Sequence, residues 1–322
     1  VTYETELPQE GRVPASAEFG NVELRVSIFP TVRGEKIVIR LFDPQNRSFN
    51  LETLGFETDT IERFKKLIRQ PSGLILLNGP TGSGKTTAIY SALCHLIDIH
   101  GPTISISTVE DPVEFNLPMI SQSQISNSRG FTYPKALRSL MRQDPEAIMI
   151  GEIRDAETAA IAVQAGLTGH MIFSTIHSDS TAGVYARLIN MDIEPFLLAS
   201  SVTGVLGLRL LRTICPGCKI QTQPNPEYLS LLPDGFAEEN EFYTGTGCDS
   251  CSQTGYLGRV AATELLNSSE AVREGVIQKL RTSKLHDIAI EQGMTTLWQN
   301  AMAKVQRGIT SLEEVIRVIS IN

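Results

Sequence analysis

The chain has 322 residues, of which 41% are hydrophobic and 20% charged, a balance typical of a folded protein and unlike that of disordered, fibrous or collagen-like chains. At about 100–200 residues per domain, this length predicts two or three domains. Its net charge of −8 argues against broad binding to nucleic acids or anionic membranes, although a local basic patch remains compatible with it. No apolar run approaches the roughly 18 residues of a membrane-spanning helix, so we expect a soluble chain.

Two alternating stretches come first. Residues 22–28 and 37–41 alternate apolar with more polar side chains, which is the pattern of half-buried strands. We predict an antiparallel pair joined by a longer loop through 29–34. The polar, turn-rich stretch 43–48 that follows predicts a domain boundary.

The next part of the chain, 49–212, has short apolar runs that alternate with helical segments. This is typical of buried parallel strands with crossover helices, so an α/β layered domain is predicted. The runs are Leu74–Leu77, Thr103–Ser107, Ala147–Ile150 and Met171–Ser174. From Cys215 we expect a loop-rich segment to about Gly258 and then helices, the last with a capping-box pattern at Ser311 and Glu314.

A phosphate-binding motif follows the first of these runs. It fits G-x-x-x-x-G-K-[ST] and precedes a helical stretch, which is the context that the motif requires. Backbone amides would face the phosphates, Lys85 would reach the β- and γ-oxygens, and Thr86 would bind Mg²⁺. A glycine-rich turn without this function is the alternative, which the order of strand, loop and helix disfavours. The predicted ATP-binding residues are Gly79, Pro80, Thr81, Gly82, Ser83, Gly84, Lys85, Thr86 and Thr87.

Hydrolysis also needs carboxylates that reach the metal and the attacking water. The usual apolar strand ending in Asp here runs into Gly151 and Glu152, so we predict that Glu152 acts itself. Glu110 and Asp111 end a strand predicted over 103–109, and carboxyl ends of parallel strands share one edge, which would bring both near the phosphates. For Asp111 a turn with its neighbouring proline is the alternative, and Glu114 is more simply a solvated side chain.

Two histidines flank the run Met171–Ser174. By the same geometry His177, after the run, would lie near the γ-phosphate, whereas His170 begins it. On spacing alone a structural role explains either histidine equally well.

Four of the five cysteines form two C-x-x-C pairs. Four thiolates on two tight turns suit a structural, tetrahedral Zn²⁺. Disulfides are the alternative, which a reducing cytosol disfavours. Cys94 lies in an apolar helical stretch and is most simply a buried small hydrophobic residue. The predicted zinc ligands are Cys215, Cys218, Cys248 and Cys251.

Four blocks of the sequence resemble the secretion ATPases that drive type II secretion and type IV pilus assembly. In that family they are called the Walker A motif, the Asp box, the Walker B motif and the His box, and here they span 79–87, 107–114, 140–155 and 168–177. The resemblance covers nearly the whole chain, including 7–12, the strand pair and 308–315. The family's glycine-glutamate Walker B motif also accounts for Gly151.

The resemblance implies an α/β fold with four parts. A RecA-like P-loop domain (49–212) would be preceded by part of an α+β, PAS-like N-terminal domain (1–48). A zinc-binding segment (213–258) and C-terminal helices (259–322) would follow. Because Val1 falls inside the family's N-terminal domain, we expect the chain to be truncated relative to the family.

The resemblance further implies a cytoplasmic hexamer that binds ATP and Mg²⁺ between its N-terminal and RecA-like domains, with Glu152 and Glu110 serving the metal and the water. Arg25 and Arg40 match arginines that approach the nucleotide, and solvated strand charges are the alternative. The implied partners are an inner-membrane platform protein and the cytoplasmic domain of a membrane-anchored recruiting protein. A zinc site favours assembly or secretion, because pilus-retraction relatives generally lack the tetracysteine motif.

Two other functions are alternatives to a protein-moving ATPase. A DNA-uptake or DNA-translocating motor is disfavoured by the negative net charge and by the lack of a basic stretch interleaved with aromatic residues, so no nucleic-acid partner is expected. An inactive nucleotide-binding scaffold is disfavoured by the complete set of carboxylates.

Overall fold

The computed structural model describes residues 6–16, 22–42, 49–232, 236 and 240–319. The chain divides into two compact units, Val1–Ser48 and Phe49–Asn322. The polar stretch 43–48, where the sequence indicates a boundary, lies outside the described residues.

The described residues form twelve strands and eleven helices, besides short 3-10 turns. The strands are β1 (Gln9–Val13), β2 (Glu23–Thr31), β3 (Gly34–Phe42), β4 (Gly73–Asn78), β5 (Ile106–Glu110), β6 (Ser121–Gln124), β7 (Ala147–Ile150), β8 (Met171–Ile176), β9 (Val202–Ile214), β10 (Lys219–Thr222), β11 (Phe242–Gly245) and β12 (Tyr256–Asn267). The helices are α1 (Thr58–Ile68), α2 (Lys85–His100), α3 (Tyr133–Leu140), α4 (Ala156–Leu167), α5 (Gly183–Ile189), α6 (Pro195–Ser201), α7 (Pro226–Leu229), α8 (Glu270–Ile277), α9 (Thr282–Glu291), α10 (Leu297–Gln306) and α11 (Leu312–Val318).

The first unit contains a three-stranded antiparallel sheet in the order β1-β2-β3. The predicted strand pair is confirmed, but the prediction of a longer loop was wrong. Thr31 pairs directly with Gly34, so only Val32 and Arg33 form the turn. Pro30 does not interrupt β2, and Gly34 takes a φ of 117°, which an L side chain rarely adopts.

The second unit is built around a seven-stranded sheet in the order β12-β9-β4-β8-β7-β5-β6. The pairs from β9 to β6 are parallel, and β12 is antiparallel to β9. This confirms the predicted α/β class. Strand β4, which precedes the phosphate motif, lies at the centre between β8 and β9, a position at which its loop can meet residues from both sides.

Both faces of the central strands are buried. Leu74 and Leu76 of β4 pack in one cluster with α4 residues such as Ala162. Ile75 and Leu77 alternate with them and are also fully buried, because α2 contacts β4 and β8. A strand at the centre of this sheet is buried on both faces, so its sequence is continuously apolar.

The sequence did not indicate two long strands. β9 extends the sheet from 202 to 214 and β12 from 256 to 267, so the prediction that only helices follow Gly258 was wrong. The strand predicted from Thr103 begins instead at Ile106, because residues 101–103 form a 3-10 turn.

The capping prediction for the last helix is confirmed in part. Ser311 accepts a hydrogen bond from the Glu314 amide at 3.2 Å, as an N-cap does. The Glu314 carboxylate does not return to Ser311 but binds Arg212 and Arg317. Within the described residues, no helix is both long and apolar enough to cross a bilayer.

Candidate nucleotide and zinc sites

The glycine motif joins the end of β4 to the first turn of α2. Gly79, Gly82 and Gly84 have φ values of 152°, 78° and 94°, a region that favours glycine. A Cβ atom on Gly79 would lie 2.5 Å from the Leu208 carbonyl oxygen. The predicted order of strand, wrapped loop and helix is confirmed, and it leaves the amino end of a 16-residue helix beside the loop, where anions are favoured.

Lys85 is buried at the start of α2. Its ammonium donates to the carbonyl oxygens of Gly79 at 2.7 Å and Pro80 at 2.8 Å. Burial lowers the pKa of Lys85 and the positive charge of Arg209 adds to this effect, while the negative charges of Glu152 and Glu114 oppose it. The charges of two carboxylates thus affect the pKa of Lys85, the lysine of the phosphate motif.

The loops after β4, β7 and β8 meet at one edge of the sheet. The Thr175 hydroxyl donates to the Gly151 carbonyl at 2.7 Å. The Ser178 amide donates to the Asn78 side chain at 3.1 Å. As the parallel-strand argument predicts, Glu152 and His177 therefore lie on loops at the same edge as the phosphate motif.

Gly151 is held in a narrow space between neighbours. A Cβ atom there would lie 2.6 Å from the Tyr133 hydroxyl and 3.4 Å from the Glu110 Cα atom. The following Glu152 is mostly covered, with 16% of its side chain exposed, and forms an ion pair with the exposed Arg154. A side chain at position 151 would thus have to displace Tyr133, and the carboxylate is supplied one residue later.

Glu110 ends β5 and is almost completely buried. Its Oε2 atom accepts a hydrogen bond from Tyr90, and its Oε1 atom accepts from Thr108 at 2.6 Å and Gln122 at 3.1 Å. Both carboxylate oxygens are therefore bonded to protein donors. This arrangement favours a supporting role, so a direct contact between Glu110 and a metal stays a prediction.

Asp111 and Glu114 lie in the exposed part of the loop after β5. Burial and then the charges of Glu152 and Asp111 raise the pKa of Tyr133, so Asp111 shares the surroundings of Glu152. The sequence predicts a solvated side chain for Glu114, and its negative charge opposes the lowering of the Lys85 pKa by burial. No spacing rule singles it out, because the loop path depends on contacts with α2 and β6.

The two histidines have different surroundings. His170 lies before β8, at the opposite edge of the sheet, with its ring nitrogen 3.2 Å from the Ala165 carbonyl oxygen, which favours a structural role. His177 lines a cavity of about 1310 Å³ together with Gly79, Pro80 and Arg209. His177 therefore lies beside the phosphate motif, and a catalytic role for it stays a prediction.

Arg25 and Arg40 lie in the first unit, directly opposite each other in the β2-β3 register. Arg12 of β1 lies opposite Arg25, and residues that pair in this way share a face of the sheet. Glu23 forms ion pairs with Arg12 and, at 3.6 Å, with Arg25. The three arginines form a row that strand alternation alone does not reveal.

The four paired cysteines converge on one point. Their sulfur atoms all lie within 4.8 Å of one another, with separations of 3.8 Å for Cys215–Cys248, 3.9 Å for Cys218–Cys251 and 3.8 Å for Cys248–Cys251. Four sulfurs at about 2.3 Å from a tetrahedral zinc lie about 3.8 Å apart, so the cluster fits the ion. All five cysteines are free, and the half-buried Cys94 takes no part.

Backbone amides point at these sulfurs. The Gly247 amide donates to Cys218 at 3.3 Å, and those of Cys248 and Gly255 donate to Cys251 at 3.2 Å and 3.3 Å. Burial opposes ionisation of Cys251, but the donors outweigh it and lower the pKa of this thiol. These amide donors favour thiolate, the form in which cysteine binds zinc, whereas burial raises the pKa of Cys215 and Cys218.

Comparison with known families decides the classification. The family model described as "Type II/IV secretion system protein" matches residues 2–317. The chain belongs to this family. The resemblance to secretion ATPases predicted from four sequence blocks is thereby confirmed.

The curated relatives of this secretion-system family member are named for type IV pilus assembly and for type II secretion. The type IV pilus assembly ATPase PilB of Thermus thermophilus is 42% identical over 97% of this chain and 35% of its own length. The type II secretion system protein HxcR of Pseudomonas aeruginosa is 42% identical, with 98% and 63% covered. The type II secretion system ATPase E of Vibrio cholerae is 41% identical, with 98% and 62% covered. The chain thus spans between about a third and two-thirds of these relatives.

Solved structures support the fold. The ATPase DotB of Legionella pneumophila has a TM-score of 0.69 at 21% identity, covering 97% of this chain and 78% of that one. The pilus retraction motor PilT with bound ADP has a TM-score of 0.68 at 24% identity, covering 97% and 77%. At these identities the likeness extends to the fold alone.

The cavity beside His177 is also lined by residues that the sequence does not single out. Glu264 of β12 is buried and accepts hydrogen bonds from Thr181 and, at 3.1 Å, from the Leu297 amide. His286 lies 3.4 Å from the same carboxylate, which raises the pKa of His286. Glu264 thus connects the loop that carries His177 with α9 and α10. The residues that it contacts lie 22 to 83 positions away in the sequence.

Proposed function

We propose that this chain is the ATP-hydrolysing part of a motor that powers type II secretion or type IV pilus assembly. The observation that carries the proposal is the shared edge of the sheet, where the loops that bear Glu152 and His177 meet the phosphate motif. The names of the relatives that align with nearly the whole chain support the same conclusion.

In this proposal the phosphate motif binds the nucleotide. Lys85 and the amides at the start of α2 offset the charge of the β- and γ-phosphates. Thr86, half-buried in the first turn of α2, would hold Mg²⁺, which supplies charge neutralisation between the phosphates. The exposed Thr81 and the buried Ser83 line the same loop.

Glu152 is the proposed residue that orients and deprotonates the attacking water. It follows β7 directly and is largely covered, and its negative charge opposes the lowering of the Lys85 pKa by burial. We assign Glu114 to the metal side of the site. Glu110, with both oxygens bonded to protein donors, supports the loop, and His177 would meet the γ-phosphate from the third strand end.

The proposed motor is a hexamer in which Arg25 and Arg40 reach the nucleotide from the first unit. An arginine that meets the γ-phosphate stabilises the charge that develops during transfer. The proposed partners are an inner-membrane platform protein and a membrane-anchored recruiting protein, which would hold a cytoplasmic ATPase at the inner membrane. Zn²⁺ at the four cysteines would keep the 213–258 segment folded.

The test of the catalytic assignment is Glu152→Gln, which keeps the size of the side chain and removes its charge. Turnover should fall by a factor of about 10² to 10⁴, while the dissociation constant for ATP changes little. Glu157→Gln is the matched control, because Glu157 is 57% exposed and paired with Arg138. Full ATPase activity of Glu152→Gln would reject the assignment.

A further inference from the structure

The loop after β5, residues 111–117, is fixed by a partly buried polar network. The Gln122 amide group donates to the Phe115 carbonyl oxygen at 2.9 Å and to Glu110 at 3.1 Å, and its oxygen accepts from the Leu117 amide at 2.7 Å. We call these residues the acidic loop, because they include Asp111 and Glu114. The network holds both the beginning and the end of the loop.

Tyr90 is the point at which this loop meets the phosphate-binding helix. It lies on α2, five residues after Lys85, and is fully buried. Its hydroxyl donates to Glu110, and the backbone of Phe115 and Glu114 lies close enough to the same oxygen to lower the pKa of the phenol. Burial, then the charge of Glu110, raises the pKa of Tyr90, so the phenol remains a donor. One hydroxyl therefore binds Glu110, at the start of the acidic loop, to the helix that carries Lys85.

Aromatic packing limits movement of the Tyr90 ring. Phe49 contacts Tyr90 edge-on, with ring centroids 5.2 Å apart at 84°, and also Phe115, at 5.6 Å and 63°. Such edge-to-face pairs contribute beyond their buried area. Phe49 is the residue at which the second unit begins.

We propose that Tyr90 is a positioning residue for ATP hydrolysis, which fixes the acidic loop so that Glu114 faces Lys85. Tyr90 itself contacts neither nucleotide nor metal in this proposal and acts through Glu110 and the loop backbone. The inference rests on the proposed function, because it assumes that Glu114 serves hydrolysis. In this proposal the hydroxyl of Tyr90, rather than its ring, determines the position of the acidic loop.

The test is Tyr90→Phe, which removes one oxygen and keeps the ring packing. We expect kcat to fall about tenfold or more, since small displacements of a reacting group are costly, while KM for ATP stays within about twofold. The matched control is Tyr185→Phe. Tyr185 is another buried tyrosine, and its hydroxyl lies 2.6 Å from Ser268. Its loss should leave kcat unchanged even if it lowers the free energy of unfolding.

A double-mutant cycle separates positioning from general destabilisation. If Tyr90 acts through Glu114, Tyr90→Phe should reduce kcat by less than about twofold in a Glu114→Gln background. A merely structural role would reduce the active fraction equally in both backgrounds. Full additivity, or a Tyr90→Phe variant with wild-type kcat, would overturn the inference.

Amide hydrogen exchange tests the same inference without turnover. In Tyr90→Phe the amides of 111–117 should exchange faster than in the wild type, with the other segments of the sheet unchanged. Unaltered exchange in this loop would overturn the inference. Absence of ATP hydrolysis by the wild-type protein would instead reject the proposed function, and the exchange experiment would still decide whether Tyr90 holds the loop.

Discussion

At position 151 glycine is favoured by the space that its neighbours leave and not by its backbone conformation, since its φ is not in the left-handed region. A Cβ atom there would approach the Tyr133 hydroxyl to 2.6 Å. We expect Gly151→Ala to lower the free energy of unfolding by about 1–3 kcal/mol, which is typical of overpacking. Urea denaturation would measure the change.

A second substitution tests this cause. Tyr133→Phe removes the atom closest to the added methyl group, so it should recover most of the stability lost in Gly151→Ala. Tyr133→Phe alone serves as the control. Equal losses with and without the hydroxyl would contradict the steric explanation.

Glu314 makes a second residue-scale prediction, on pH dependence. Burial by itself raises its pKa, but hydrogen bonds from Arg317 and Arg212 outweigh burial and lower the pKa to about 2. A carboxyl whose pKa falls on folding stabilises the protein above its unfolded pKa, and that stabilisation is lost as the pH falls towards the folded value. The contribution of Glu314 should therefore disappear between about pH 4.5 and pH 2.

The variant Glu314→Gln should unfold more easily at pH 7, by about 2 kcal/mol, the scale of hydrogen bonds to a charged group. Its unfolding free energy should also fall less steeply than that of the wild type below pH 4.5. Glu313→Gln, on the same first turn of α11, is the control. Parallel pH profiles for Glu314→Gln and the wild type would show that the ion pairs contribute nothing.

At the scale of elements, the cysteine cluster joins two turns that are otherwise held by a small set of backbone contacts. The Cys215 amide donates to the Gly255 carbonyl oxygen at 2.9 Å and the Thr246 amide donates to that of Cys218 at 3.1 Å, beside the short pair β10-β11. A Cβ atom on Gly245 would lie 2.0 Å from the Gly255 carbonyl oxygen. The segment is thus built for a compact turn that the metal completes.

Metal removal should therefore loosen this element selectively. We expect about one zinc per chain by elemental analysis, and faster amide exchange in 213–258 after chelation or in Cys218→Ser, because binding energy at such sites is folding energy. The β4 and β8 strands should remain protected. Cys94→Ser should retain the zinc, and unchanged exchange after complete metal removal would contradict a structural zinc.

The strands β9 and β12 illustrate what element-scale sequence reading misses. β9 contains two glycines that interrupt its apolar pattern, Gly204 and Gly207, and in the partner strand β12 Gly258 lies where the register shifts. A Cβ atom on Gly204 would meet Leu67 at 2.6 Å, and one on Gly207 would meet Thr181 at 2.8 Å. The absence of a side chain at these glycines leaves room for Leu67 of α1 and Thr181 of the loop after β8. These contacts join distant parts of the sequence, so only the assembled fold reveals them.

At the scale of the whole molecule, we expect Arg40 to act on nucleotide only within a ring. Arg40→Ala should lower kcat by at least tenfold, given the large effects of arginines that stabilise phosphoryl transfer. Arg33→Ala, at the exposed β2-β3 turn, should not. Turnover per chain of the wild type should rise with protein concentration as rings assemble, together with the mass measured in Mg²⁺ and an ATP analogue.

Two outcomes would contradict this arrangement. One is wild-type turnover in Arg40→Ala, and the other is a strict monomer at high concentration with the analogue bound. Stimulation of hydrolysis by DNA, lost at high salt, would instead favour the DNA-translocating alternative.

The sequence by itself determined the phosphate motif, the paired cysteines, the α/β class and the family, because each depends on local spacing or on a strand's immediate environment. Only the tertiary structure decided that Glu110 is enclosed by Tyr90 and Gln122, that Glu114 acts on Lys85, and that Arg12 joins the row of arginines. Those facts depend on the order of strands and on side chains far apart in sequence. Local periodicity specifies which residues are buried, but not which distant neighbour they meet.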